Sequence, residues 1–252
     1  LFLNRRGYAT ALQCPKCGYV AECPNCSLSL TYHRRAQKLA CHVCGHEAPA
    51  PAVCPEVKCR NPAIRFSGLG TEKVESEISR NFSSARMARM DSDTTSKRGS
   101  HDKILDDFRT GGTSLLVGTQ MIAKGHDFPE VTLVGVVSAD VTLNVPDFRS
   151  SERTFNLLTQ VGGRAGRGDA GGEVIVQTYA PGHYAVLAAA KHDYERFYDE
   201  EIVSRKELLF PPFINLVKIT VRARNDEAAK NAAVALLGAI KAEDKDALVA
   251  GP

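Results

Sequence analysis

Beyond residue 70, apolar and polar positions alternate with two different periods along the chain. Short apolar runs typical of buried strands occupy residues 85–90, 114–118, 131–138 and 173–179. Longer amphipathic stretches typical of helices occupy residues 71–82, 99–109, 151–161 and 183–204. Strand and helix therefore alternate, and this order predicts an α/β fold built on a parallel sheet.

Both ends of the chain add elements to this pattern. Residues 1–3 have the apolar character of a strand end. Pro211 and Pro212 interrupt the chain after the last of these helices, and a further strand at residues 216–221 and an Ala-rich helix at residues 226–241 follow. One strand and one helix are too few for a finished domain, so we expect the start of a truncated α+β domain. The chain begins without Met or a leader and stops without a tail signal, and we expect a piece of a longer protein.

The composition is that of an ordinary globular protein. Of 252 residues, 43% are hydrophobic and 24% are charged. The apolar runs fall short of the roughly 18 residues that span a bilayer. These features exclude a disordered chain, a collagen and a membrane-spanning protein, and we expect no membrane partner.

All eight cysteines lie between Cys14 and Cys59. Residues 1–60 carry eight Lys and Arg against three Asp and Glu, a net charge of +5, whereas residues 61–252 carry 24 against 26, a net charge of −2. If the eight thiolates hold two zinc ions, the charge of the first segment falls to about +1, because ligated thiols are deprotonated. Net charge alone therefore does not indicate a nucleic-acid-binding surface.

The spacing of the cysteines is typical of structural zinc sites. Three pairs are separated by two residues and the fourth by four: Cys14 and Cys17, Cys23 and Cys26, Cys41 and Cys44, and Cys54 and Cys59. Such a turn directs two sulfurs at one point about 2.3 Å from each, and two turns complete a tetrahedron around zinc. Disulfide bonds within the pairs are the alternative, but that chemistry suits a single redox motif better than tandem copies. We therefore predict two zinc ions per chain.

Four pairs can be combined sequentially, crossed or nested, and the spacing favours nesting. The 14 residues between Cys26 and Cys41 resemble the loop of a zinc ribbon. The expected inner site is Cys23, Cys26, Cys41 and Cys44, and the expected outer site is Cys14, Cys17, Cys54 and Cys59. His33, His42 and His46 are alternative ligands, although the sulfur count is already complete. A closed four-cysteine site has no position for water, so we expect a folding role rather than hydrolysis.

Two stretches in the alternating region carry candidate nucleotide chemistry. Residues 115–128 run from an apolar strand into a Gly-containing loop, and residues 160–168 contain Arg164 and Arg167. Two arginines three residues apart on a helical turn face the same way and can bind phosphate oxygens. The second stretch alone is at least as typical of a polar turn. In this order on an α/β sheet, they resemble motifs V and VI of superfamily-two helicases.

More of the chain resembles the second, RecA-like lobe of the PriA family of primosomal replication-restart helicases. The matching stretches are residues 4–8, the eight-cysteine insertion, and residues 70–72, 89–94, 118–128, 146–149 and 160–167, with residues 207–213 resembling the beginning of that family's C-terminal domain. The sequence departs from the family pattern in the four-residue spacing of Cys54 and Cys59, and at Gly163, where alanine is expected. The first departure leaves the geometry of the outer site open.

The resemblance implies a division of the chain and a function for the intact protein. The implied parts are the first strand of the lobe at residues 1–12, the zinc-binding insertion at 13–62, the remainder of the lobe at 63–205 and the beginning of the C-terminal domain at 206–252. The implied activity is that of an ATP-dependent DNA helicase that recognises stalled or branched forks and directs primosome assembly in the bacterial cytoplasm. The implied cofactors are ATP, Mg²⁺ and zinc. The implied partners are forked and single-stranded DNA, primosome proteins and single-stranded DNA-binding protein.

Motif position also implies roles for individual residues. Arg167 is the expected arginine finger and Arg164 the second contact to the γ-phosphate. Gln160, Gly125 and Asp127 are expected beside the nucleotide. The expected DNA contacts are Thr119, Gln120, Arg5, Arg6, Arg34, Arg35 and Lys38. For the five basic residues a solvated face is an equally good interpretation.

Part of the helicase machinery does not occur in this sequence. There is no Gly-Lys dipeptide and hence no phosphate loop, and the Asp-Glu-Glu run at residues 199–201 lies on a polar helix. We therefore expect the fragment alone to be inactive. One alternative is a non-hydrolysing zinc-ribbon scaffold of the primosome that binds DNA or proteins. Another is a different superfamily-two enzyme, which would leave the eight cysteines unexplained.

Overall fold

The computed structural model combines a parallel sheet flanked by helices with a small cysteine-rich module of antiparallel strands. It describes residues 1–2, 11–33, 37–41, 43–62, 64–66, 71–91, 94–95, 99–119, 122, 128–166, 171–244, 247 and 249. The mixed α/β class predicted from the alternating pattern is confirmed.

The strands of the cysteine-rich module precede those of the lobe. In chain order the strands are β1 (Leu12–Gln13), β2 (Thr31–His33), β3 (Lys38–Ala40), β4 (Glu47–Pro49), β5 (Arg65–Phe66), β6 (Met87–Met90), β7 (Leu115–Gly118), β8 (Leu133–Val136) and β9 (Glu173–Val176). The helices are α1 (Thr71–Asn81), α2 (Ser100–Arg109), α3 (Asp140–Leu143), α4 (Ser150–Gly162), α5 (Tyr184–Ala190), α6 (Tyr194–Glu207) and α7 (Asp226–Glu243). Within the described ranges, every helix is too short or too polar to cross a membrane.

The start of the chain lies at the centre of the parallel sheet. Strand β6 pairs with β7, and β8 pairs with β9, each in parallel. Phe2 bridges both Gly118 in β7 and Val136 in β8, also in parallel. The backbone N–H of Phe2 donates to the carbonyl of Gly135 at 2.6 Å. The order across the sheet is therefore β6, β7, residues 1–2, β8 and β9.

Helix α4 supplies much of the core of the lobe. Its side chains Phe155, Leu158 and Val161 lie in one buried cluster with Phe2 and Val136 of the sheet. Helices α5 and α6 contribute to the same cluster. Burial along the whole of α4 fixes that helix against the centre of the sheet.

Most elements of the lobe agree closely with the sequence pattern. Strands β6 to β9 each lie inside the apolar run that predicted them and are shorter than it. Helices α1, α2 and α4 end within one residue of their predicted bounds.

Two predicted elements are wrong. The helix predicted at residues 183–204 is two helices, because His192 is left-handed with φ 53° and the carboxylate of Asp193 caps α6 by accepting the N–H of Arg196 at 3.0 Å. The strand predicted at residues 216–221 is irregular, and Val217 is 79% exposed. A strand requires hydrogen bonds from a neighbour, and the described part of the chain pairs none with this segment.

The cysteine-rich module, residues 11–66, consists of two small antiparallel sheets. Strand β1 pairs with β5, and β2, β3 and β4 form a three-stranded sheet. The apolar core of the module contains Leu12, Leu30 and Leu39 together with Phe210, which follows α6. A residue from beyond the lobe therefore completes the core of the module.

The module also contacts the lobe at Gly18. This residue is left-handed, with φ 80°, and a Cβ atom there would lie 2.5 Å from the Cβ of Tyr179, beyond β9. Glycine permits both the backbone conformation and the close approach of Tyr179. The module thus contacts the lobe at Gly18, and its core includes Phe210.

Candidate functional site

Three of the four cysteine pairs form the same backbone turn. The N–H of Cys14 donates to the carbonyl of Tyr19 at 2.8 Å, and the N–H of Gly18 donates back to the carbonyl of Cys14 at 2.9 Å. The turns that begin at Cys23 and Cys41 repeat both hydrogen bonds. Each turn therefore presents its two sulfurs in the same way.

The fourth pair reaches the same end geometry despite its longer spacing. The residue after the second cysteine is left-handed in all four pairs: Gly18, Ser27, Gly45 and Arg60 have φ values of 80°, 51°, 74° and 45°. The N–H of Cys54 donates to the carbonyl of Asn61 at 2.8 Å, which closes the longer turn. The two additional residues are accommodated inside the turn, so the departure from the family spacing leaves both sulfurs directed at one point.

The eight sulfurs form two nested groups of four. One group, the outer tetrad, is Cys14, Cys17, Cys54 and Cys59, and the other, the inner tetrad, is Cys23, Cys26, Cys41 and Cys44; within each group the sulfurs lie within 4.8 Å of one another. The Sγ atoms are 3.7 Å apart for Cys14 and Cys59, 3.6 Å for Cys17 and Cys54, and 3.5 Å for Cys23 and Cys44. A tetrahedron with Zn–S bonds of about 2.3 Å has edges of about 3.8 Å. A disulfide would require about 2.05 Å, and all eight cysteines are unbridged.

An asparagine amide donates to one sulfur in each tetrad. Asn61 donates to Cys14 Sγ at 3.6 Å, and Asn25 donates to Cys44 Sγ at 3.7 Å. Burial acts to raise the pKa of Cys14, but backbone N–H groups of its turn and the Asn61 amide outweigh burial and lower that pKa to about 6. For Cys44 burial also acts upward, but the His46 N–H, neighbouring thiols and the Asn25 amide lower the pKa to about 7. Each tetrad thus contains one thiol that is readily ionised.

The donor set fits zinc. Four sulfurs at tetrahedral spacing, most of them buried, are the ligands of a closed structural site. Among the described histidines, His33 and His46 belong to neither tetrad. His42, the third alternative ligand, lies outside the described residues.

Two of the predicted nucleotide residues, Gln160 and Arg164, lie at and just beyond the end of α4. Gln160 is exposed in its last turn, and Arg164 is half-buried just after it. Arg164 borders a cavity of about 400 Å³ that is also lined by Phe128. The N–H of Gly166 donates to the carbonyl of Val131 at 3.2 Å. These contacts bring the stretch at residues 160–168 beside the end of the stretch at residues 115–128.

Several predicted residues lie outside the described part of the chain. They are Arg167, Gly125 and Asp127 on the nucleotide side and Gln120, Arg5, Arg6, Arg34 and Arg35 on the DNA side. Gly163 is described, and a Cβ there would lie 3.6 Å from its nearest atom, the carbonyl oxygen of Thr159. The alanine of the family pattern therefore fits at this position without displacement.

The two described DNA-side candidates differ in their surroundings. Thr119 is 9% exposed and follows the carboxyl end of β7, whereas the cavity beside Arg164 is lined by Ser114 at the amino end of that strand. Thr119 and Arg164 therefore lie at opposite edges of the sheet. Lys38 forms an exposed ion pair with Glu47 at 2.9 Å, which offsets its charge locally.

Known proteins match the chain in both of its parts. The model of the PriA DNA helicase Cys-rich region (CRR) domain matches residues 23–49, and that of the helicase conserved C-terminal domain matches residues 60–169. The replication restart protein PriA of Bacillus subtilis is 54% identical over 235 residues, which are 93% of this chain and 29% of that protein. Its counterpart in Synechocystis is 47% identical over 90% of this chain and 27% of that protein.

Among solved structures, Saccharomyces cerevisiae Dbp5 bound to RNA and ADP BeF3 is 18% identical, with a TM-score of 0.33 over 55% of this chain and 35% of that chain. The chain spans less than a third of the length of the two bacterial relatives it matches. The region matched by the Cys-rich model begins at Cys23 and contains the inner tetrad, while the outer tetrad flanks it on both sides.

Proposed function

The chain belongs to the PriA family of replication restart proteins, and on that premise we propose that it is the C-terminal part of an ATP-dependent DNA helicase. The intact protein recognises stalled or branched replication forks, unwinds DNA and directs primosome assembly. The observation that carries this proposal is the insertion of two cysteine tetrads between the central strand and the first helix of a helicase lobe.

Each tetrad binds one zinc ion in this proposal. The outer tetrad would hold an ion that ties the two ends of the module together, and the inner tetrad, three of whose cysteines belong to the apolar core, would hold the other. Four thiolate ligands leave no open position, so zinc supplies folding free energy here rather than an activated water. The asparagine amides hold one thiolate of each site in place.

The ATP-side roles follow the motif order of the family. Arg167 is the proposed arginine finger, and Arg164 is the proposed second contact to the γ-phosphate. Gln160, Gly125 and Asp127 are proposed beside the nucleotide. The proximity of Arg164 to Phe128 supports a shared nucleotide edge. ATP and Mg²⁺ also need a phosphate loop, which this sequence does not contain.

The DNA-side roles also follow the motif order of the family, and two of the residues concerned are described: Thr119, just after β7, and Lys38, in β3. Thr119 and Gln120 are proposed contacts to the DNA backbone, and the proposed basic contacts are Arg5, Arg6, Arg34, Arg35 and Lys38. The ion pair with Glu47 makes Lys38 the weakest of these. The proposed partners are forked and single-stranded DNA, primosome proteins and single-stranded DNA-binding protein in the bacterial cytoplasm.

Substitution of Arg167 in the full-length protein tests the proposed function. We expect Arg167→Ala to lower DNA-stimulated ATP hydrolysis by about 10³-fold or more, because an arginine finger stabilises charge that develops on the γ-phosphate. DNA affinity should change little, since other phosphate contacts supply it. Arg167→Lys should restore little activity, because the ammonium group lacks the planar fork.

The measurement pairs ATPase rate with DNA binding at one fixed salt concentration for all three proteins. Near-normal turnover with much weaker DNA binding in Arg167→Ala would identify the residue as a DNA contact. Absence of DNA-stimulated hydrolysis in the wild-type protein would favour a non-hydrolysing scaffold.

A further inference from the structure

The residues before α4 join the cysteine-rich module to the lobe. The ring of Phe148 stacks on that of Phe210, with centroids 5.4 Å apart and an angle of 20° between planes. Phe210 is 5% exposed and shares the module core with Cys23 and Cys41 of the inner tetrad. Phe148 therefore packs directly on the apolar core that surrounds the inner site.

Arg205 contacts Phe148 from the lobe. Its guanidinium carbon lies 5.4 Å from the centre of the Phe148 ring, within the range of a cation–π interaction. The same guanidinium binds Glu152 of α4 at 2.6 Å and Glu201 of α6 at 2.8 Å. Glu201 in turn accepts the hydroxyl of Tyr184 in α5. The side chains of Arg205 and Glu201 are 15% and 8% exposed, so this ion pair is largely shielded from water, whereas Glu152 is 40% exposed. The ion pair holds the Arg205 guanidinium against the Phe148 ring.

Helix α4 connects Phe148 to the arginine motif. The helix begins two residues after Phe148, and Arg164 lies two residues beyond its end. Its 13 residues correspond to a length of about 20 Å. Because its inner face is packed in the lobe core, α4 is a continuous and rigid connection between Phe148 and Arg164.

We propose that Phe148 is a positioning residue that couples the cysteine-rich module to the arginine motif through α4. Phe148 belongs to neither tetrad and does not line the cavity beside Arg164, so it acts through the position of Arg164. Loss of the inner metal loosens the core around Phe210, and the change is transmitted along the helix. The effect on turnover rests on the proposed ATPase function, whereas the mechanical coupling is independent of it.

The first test measures hydrogen exchange of backbone amides at residues 159–165 in the full-length protein, before and after a chelator removes zinc. We expect zinc removal to accelerate exchange in this segment of the wild type by about 2- to 30-fold, the range for coupling through a contiguous network. Phe148→Leu should make exchange there insensitive to zinc, and Phe148→Tyr should restore the response because the ring is retained.

Phe197→Leu is the matched control. Phe197 is 3% exposed and stacks on Phe155 of α4 at 4.5 Å, on the side of the lobe core rather than of the module. Its substitution should accelerate exchange but leave the zinc dependence intact. If hydrogen exchange in the wild-type protein does not respond to zinc removal, the proposal is overturned. This wild-type comparison remains decisive even where a leucine variant fails to fold.

The second test measures the ratio of DNA-stimulated to DNA-independent ATP turnover. Phe148→Leu, with both zinc ions confirmed by elemental analysis, should lower this ratio by about 10- to 100-fold, since small displacements of catalytic groups are costly. A simple loss of stability lowers both rates equally, so a ratio equal to that of wild type contradicts the coupling. A wild-type protein that responds to zinc in the exchange test but hydrolyses no ATP contradicts the proposed function and leaves the mechanical coupling supported.

Discussion

One sulfur in each tetrad accepts a hydrogen bond from the side-chain amide of an asparagine. Asn61 donates to Cys14 and Asn25 to Cys44, the thiols whose pKa values are lowered to about 6 and about 7. The spacing of the cysteines predicted the members of both tetrads. It did not predict these donors, because an asparagine beside a turn is commonly a turn residue and its partner is set by tertiary structure.

Asn61→Ala should weaken zinc binding at the outer tetrad by about 10- to 100-fold. Without the amide, the pKa of Cys14 rises, and protons compete better with the metal. Because ligand thiols become protonated as pH falls, zinc is lost at low pH, and the substitution should move the midpoint of release to higher pH. The measurement is competition with a chromophoric chelator across a pH series.

Asn81→Ala is the control for this substitution. Its exposed amide donates to the carbonyl of Glu77 within α1, away from both tetrads. Asn25→Ala should weaken zinc binding at the inner tetrad alone. Equal release from wild type and Asn61→Ala at every pH would show that the amide does not stabilise the thiolate.

Among the helices and strands, the apolar pattern predicted most of the elements of the lobe, and it failed at one local helix break and at one strand that needs a distant partner. Strands β6 to β9 are each encoded by a compact apolar run. The break at His192 follows from a left-handed backbone and an Asp193 cap inside an otherwise continuous helical pattern. The failed strand at residues 216–221 alternates correctly but has no paired neighbour among the described strands.

The longer turn between Cys54 and Cys59 allows the nested pairing to be tested. The double substitution Cys54→Ser and Cys59→Ser should release one zinc ion and leave the other bound, because Cys14 and Cys17 are the ligands that lose partners. Elemental analysis of the purified protein, with thiol titration, gives the ion count.

The matched variant is Cys41→Ser with Cys44→Ser. Cys41 lies in the apolar core of the module, so this pair should also unfold the module, as seen by near-ultraviolet circular dichroism. Loss of both ions from the Cys54 and Cys59 variant with the inner segment still folded would argue for crossed pairing.

The sequence pattern did not predict how segments that are far apart in the chain are placed in the whole molecule. The sequence predicts the end of a strand at residues 1–3, but the central position of residues 1–2 depends on hydrogen bonds to strands more than 110 positions away, as between Leu1 and Leu116. The nucleotide-side and DNA-side candidates are proposed from motif order. The placement of Arg164 and Thr119 at opposite edges of the sheet required the fold.

The isolated chain should not hydrolyse ATP above background, with or without DNA. Its sequence contains no phosphate loop to hold the β- and γ-phosphates, so the proposed arginines act on a nucleotide bound elsewhere. The measurement is a coupled ATPase assay on the purified chain, with Arg167→Ala as the control for contaminating enzymes. Turnover that disappears in Arg167→Ala would show that the chain contains a complete site.

The position of Phe210 also implies an order of folding steps while the chain is being synthesised. Residues 11–66 leave the ribosome long before residue 210 is made, so the module emerges with its ligands complete and its apolar core open on one side. Metal bound by the two tetrads would then hold the nascent module together until α6 and the turn after it have been translated. The module therefore completes its folding only when the lobe does. A chain whose synthesis stalls after residue 66 but before residue 210 leaves a metal-loaded module with an exposed apolar face.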